Sequence, residues 1–131
     1  MTGWMHANGV IRVVVIDGDA RVRRALEQLI DAEAGMEVIA AVASAQDARV
    51  VLGRAAADVV LLDLLMPSVR AGLGLVGDLA GAGYAVVATS LAGSARAAAM
   101  EAGATCFIEK GPDPAALLAA IRHSADPARC E

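Results

Sequence analysis

At 131 residues the chain has the size of one ordinary domain, enough for one sound core and too short for two. Hydrophobic residues make up 57%, many of them Ala, and aromatics only 2% (Trp4, Tyr84 and Phe107), so the core must come from Val, Leu, Ile and Ala. A net charge of −4 and a pI of about 5.1 argue against direct nucleic-acid binding. The two best apolar runs, interrupted by Asp17 and Asp63, are too short to span a membrane.

Residues 1–9 have no periodicity and read as a loose leader without the basic and apolar regions of a signal peptide. Val10–Ile16 is a β-branched run suited to a strand buried on both faces. Asp17-Gly18-Asp19 ends it, and a helix is expected from about Ala20 to Ala34, with Val22, Leu26, Leu29 and Ile30 on one stripe and Gly35 as its stop. Val38–Ala43 reads as a second strand. Ser44 is placed to cap a helix starting near Ala45, with Asp47 in its first turn. Val59–Leu62, the most apolar strand, ends at Asp63. Pro67 breaks the chain, Gly72 and Gly74 loosen the next stretch, and a helix is expected from about Leu75 to Ala82. Ala85–Ala88 is the fourth strand, followed by a helix from about Ser94 to Ala102. Thr105–Ile108 is the fifth strand, and Pro112 and Pro114 open a last helix to about His123. The domain is bounded at residues 10–124, and 125–131 read as a tail. Arg12, Arg21, Arg23 and Arg24 read as a solvated face. Cys106 and Cys130 give neither a metal spacing nor a disulfide framework, and His6 and His123 are isolated.

Five strand–helix units require a parallel sheet covered on both faces. At this length they fit an α/β, flavodoxin-like (βα)5 doubly wound sheet with strand order 2-1-3-4-5. The ligand site of such a sheet lies outside the carboxyl ends of its strands. Asp17, Asp63, Thr89, Ser90 and Lys110 all fall on that edge. A carboxylate attacks phosphorus when its charge is offset. Mg²⁺, which takes oxygen ligands, an ammonium and a hydroxyl can supply that offset.

Over about Val10 to Ser124 the chain resembles the receiver domains of two-component response regulators. The matching segments are VVVIDGDARVRRAL, DVVLLDLLMP, VVATS, EAGATCFIEKG and DPAALLAAIR. The most specific is DVVLLDLLMP, an aspartate after an apolar strand with Met-Pro at the third and fourth following positions. The resemblance implies that Asp63 is the phosphoacceptor, that Asp17, Asp63 and the Leu65 carbonyl hold Mg²⁺, and that Lys110 binds the phosphoryl group. It implies Thr89 as the switch hydroxyl, Phe107 as the switch aromatic, and Leu65 and Leu91 as residues flanking the path of hydrolytic water. Three features depart from the family pattern. Gly18 stands where a second acid is usual, which implies weak Mg²⁺ binding, and Asp19 beside it reads as a helix cap. The loop PSVRAGLG is one residue longer than usual, and Gly111 follows Lys110 where many receivers have proline.

The resemblance thus implies a cytoplasmic phosphoprotein of a two-component system or phosphorelay, catalysing only its own phosphorylation and dephosphorylation. Its partners would be a histidine kinase or phosphotransfer protein and a downstream protein, with a homodimer through helix 4, strand 5 and helix 5 as a further option. Two alternatives stand beside it. One is a pseudo-receiver interaction module without phosphorylation, for which Gly18 argues. The other is a haloacid-dehalogenase-like phosphatase, with Asp17 as nucleophile and Asp19 as general acid.

Overall fold

The computed structural model describes residues 9–111 and 113–126. The elements are β1 (Ile11–Ile16), α1 (Ala20–Asp31), β2 (Met36–Val42), α2 (Ala45–Leu52), β3 (Val59–Asp63), α3 (Val69–Gly81), β4 (Ala85–Ser90), α4 (Arg96–Ala102), β5 (Cys106–Glu109) and α5 (Pro114–Ala125). A 3₁₀ turn, Gly93–Ala95, leads into α4. The five strands form one parallel sheet in the order β2-β1-β3-β4-β5, as the sequence leads one to expect. The expected leader, except Gly9, and the tail from 127 onward lie outside the described residues.

Alternation along the central strands divides the interior into two cores. Val14, Ile16, Val60 and Leu62 face one side, where Leu75, Val76 and Leu79 of α3 and Ala99 of α4 pack on them. Val13, Val15, Val59 and Leu61 face the other, against Ile30 of α1 and Leu117 and Ile121 of α5. Strands buried on both faces therefore read as continuous apolar runs.

The largest departure from the sequence reading is α3, which starts at Val69 rather than near Leu75. Ser68 is its N-cap and accepts a hydrogen bond from the Ala71 amide at 3.2 Å. Gly72, expected to loosen this segment, lies inside the helix, and a Cβ there would fall 1.8 Å from the Leu64 carbonyl oxygen. Glycine is required because helix and loop backbones touch.

Smaller shifts have local causes. α1 ends at Asp31, short of Ala34, and the chain turns through Gly35 at φ +84° before entering β2 at Met36. β4 extends through Thr89 and Ser90, which pair with Ile108 and Glu109 of β5. α5 runs on to Ala125, which is buried.

Candidate functional site

The parallel register brings the candidate residues together. Ile16 pairs with Leu62, and Asp63 with Thr89, so Asp17, Asp63 and Thr89 end three adjacent strands side by side. Lys110 directly follows β5, and its amide donates to the Ser90 carbonyl at 2.7 Å. Its side chain reaches back across the edge. The Lys110 Nζ lies 3.1 Å from Asp17 Oδ2 and 3.4 Å from Asp63 Oδ2.

Both carboxylates are buried, Asp17 at 2% and Asp63 at 8% exposure. Burial of charge is tolerated only where it is paired and hydrogen-bonded. Each carboxylate meets that condition in the same way. One oxygen faces Lys110, and the other accepts a backbone amide two residues on: Asp19 N–H to Asp17 Oδ1 at 2.9 Å, and Leu65 N–H to Asp63 Oδ1 at 3.2 Å. Two carboxylates and one ammonium leave the site one negative charge in excess, which favours a further cation.

Asp19 has a different task. Its carboxylate accepts from the Arg21 and Val22 amides and caps α1, as the sequence suggests. Gly18 is exposed and leaves its surroundings open, since a Cβ there would meet only Met66 Sδ, at 3.8 Å. Among the described residues no group of three or more His, Cys, Asp or Glu side chains converges as a metal site. The carboxylates on this edge are those of Asp17 and Asp63.

The Thr89 hydroxyl donates to the Leu62 carbonyl at 3.5 Å, toward the backbone of the next strand. Phe107 is 3% exposed and packs in the core beneath α4, whereas Leu65 (60%) and Leu91 (79%) stand open on the two loops after β3 and β4. A cleft of about 430 Å³ adjoins the edge, lined by Val22, Leu26, Leu29 and Leu117 together with Thr89 and Lys110.

Sequence reasoning missed Arg23. Read there as part of a solvated face, it is half-buried, and its Nη1 donates to the Asp17 carbonyl at 2.8 Å. This bond ties α1 to the loop that carries the first carboxylate. Its target is a backbone atom six residues away, so only the helix position of Arg23, one turn past Asp19, hinted at it.

A doubly wound parallel sheet of this strand order defines a flavodoxin-like domain, here with two acids and a lysine gathered at its switch point. The chain belongs to the response regulator receiver domain family, whose profile matches residues 13–122. It is 37% identical over 105 residues to protein-glutamate methylesterase/protein-glutamine glutaminase 5 of Myxococcus xanthus, a match covering 76% of this chain and 30% of that protein. It is 33% identical over 118 residues to the nitrate/nitrite response regulator protein NarP of Escherichia coli, covering 87% of this chain and 54% of NarP. The chain thus spans between about a third and a half of these longer relatives. A two-component response regulator of the LuxR family from Aurantimonas sp. SI85-9A1 has the same fold, with a TM-score of 0.78 at 28% identity over 88% of this chain and 85% of that one. The phosphatase alternative fails on both counts, because the family is that of receivers and Asp19, its required general acid, is committed to capping α1.

Proposed function

We propose that Asp63 accepts a phosphoryl group from the phosphohistidine of a histidine kinase or phosphotransfer protein. The supporting observation is the Lys110 ammonium held between Asp17 and Asp63. One Asp63 carboxylate oxygen attacks phosphorus, the phosphorus–nitrogen bond breaks, and the donor imidazole leaves with the bonding pair. Positioning and neutralisation of the phosphoryl oxygens carry most of such a transfer. Lys110 already faces Asp63 and would follow the new charge. The Thr89 hydroxyl, bonded only weakly to Leu62, is free to turn toward it. Asp17, Asp63 and the Leu65 carbonyl would hold Mg²⁺, which supplies further neutralisation of the phosphoryl oxygens. With Gly18 in place of an acid, that binding is weak.

Movement of Thr89 and Phe107 would then alter the face formed by α4, β5 and α5, where a downstream protein or a second copy docks. The charge of −4 favours a protein partner over nucleic acid. Among the described residues no helix is long and apolar enough to cross a membrane, which suits the cytoplasmic place of such a relay. The domain performs no turnover beyond gaining and losing its own phosphoryl group.

The test is Asp63→Asn, a nearly isosteric change at the sheet edge. Intact-mass measurement with a small phosphodonor and Mg²⁺ is expected to show acyl phosphate on the parent and none on the variant, with unchanged circular dichroism. Undiminished phosphorylation of the variant overturns the assignment. A parent that never takes up phosphate identifies a pseudo-receiver, the reading Gly18 favours.

A further inference from the structure

α4 is lightly anchored. Its sequence is RAAAMEA, its one buried residue is Ala99, and Met100, its largest apolar side chain, is 42% exposed. By contrast α3 buries Leu75, Val76 and Leu79. Alanine offers little apolar area, and an element with few buried contacts opens locally at low cost.

One polar contact to β5 supplements that anchoring. The Arg96 guanidinium lies over the Phe107 ring, 5.1 Å from its centroid, where the negative face of the ring attracts a cation. Two residues further along the strand, and so on the same face, the Glu109 carboxylate packs over the backbone of Gly93. A Cβ at Gly93 would fall 2.6 Å from Glu109 Oε1, the far end of an exposed, flexible side chain.

We infer that Arg96 is a positioning residue, a latch whose cation on Phe107 holds the first turn of α4 against β5 and sets how readily this face opens. The inference rests on the packing of α4 against β5 and stands or falls independently of phosphorylation at Asp63. Arg96 itself is exposed, so its replacement leaves the core intact.

Hydrogen exchange of the full chain tests it in Arg96→Ala, Arg96→Gln and Arg96→Lys. Phe107 is the only phenylalanine in the chain, so labelling with fluorophenylalanine gives a single ¹⁹F resonance that reports this ring alone. Loss of the cation is expected to speed exchange of α4 amides by roughly two- to fivefold and to move the resonance. Exchange in α1 and α5 stays as in the parent, and Lys recovers most of the effect. Alanine is the better helix former, so on propensity alone Arg96→Ala would slow exchange in α4. Unchanged or slower α4 exchange in the Ala and Gln variants, an increase shared by every helix, an unmoved resonance, or a Lys variant no better than Gln each overturns the latch.

Discussion

Gly18 separates this site from the family pattern in a single side chain. The two carboxylates beside it share one lysine, and Asp19 caps α1. An acid at position 18 would meet no obstruction closer than Met66 Sδ at 3.8 Å from its Cβ. Gly18→Asp is therefore expected to fold normally and to bind Mg²⁺ at least about tenfold more tightly, or about 1.4 kcal/mol, because affinity for hard cations follows ligand charge. Calorimetric titration of parent and variant checks this, and equal affinities would mean that position 18 does not reach the metal. Asp17, Asp63, Thr89 and Lys110 were legible in the sequence because each ends an apolar run, and parallel topology sends every such end to one edge. Arg23 and Arg96 were not. Their partners are a carbonyl and a ring brought close by packing, and sequence spacing carries no sign of either.

Among the elements, α3 holds the sharpest contrast between sequence and structure. Two glycines so close to a proline suggest a loop, yet Ser68 caps a helix that runs through both. The reason Gly72 is glycine lies in the Leu64 carbonyl, which only the folded chain brings near. Gly74, two residues on, has nothing within 4 Å of where its Cβ would stand. The pair makes a matched test by urea denaturation. Gly74→Ala should stabilise by about 0.5–1 kcal/mol, the usual gain from replacing glycine in a helix. Gly72→Ala should destabilise by about 2 kcal/mol or more, because two backbones must separate to admit a methyl group. Equal effects of the two changes would refute the close approach. The remaining elements were legible to within a few residues, since their caps and apolar runs are local signals. β4 runs two residues past its expected end at Ala88, through Thr89 and Ser90, because their pairing with β5 depends on residues far along the chain.

With Asp63 as the proposed phosphoacceptor, what matters for the molecule as a whole is how long a phosphoryl group stays on it. Leu65 and Leu91 stand on neighbouring loops beside Asp63, both largely exposed, and neither side chain can hydrogen-bond an attacking water. Slow self-dephosphorylation is expected. Replacing Leu65 by Asn and Leu91 by Glu together should speed decay of the acyl phosphate by roughly tenfold or more at saturating Mg²⁺, since a positioned polar group aids proton transfer from water. Decay no faster in the double variant would show that the leucines have no kinetic part. Lys110 bears on the same molecule at a different moment. It meets Asp17 across 93 residues of sequence, and both carboxylates, one just after β1 and one ending β3, are synthesised well before it. Closing so long a loop costs entropy that only the completed sheet repays. On the ribosome, a nascent chain carrying β1 to β4 already holds the proposed acceptor Asp63 but lacks the Lys110 cation that would offset an incoming phosphoryl group. On the proposed function, competence to accept a phosphoryl group therefore arrives only once Lys110 has followed β5.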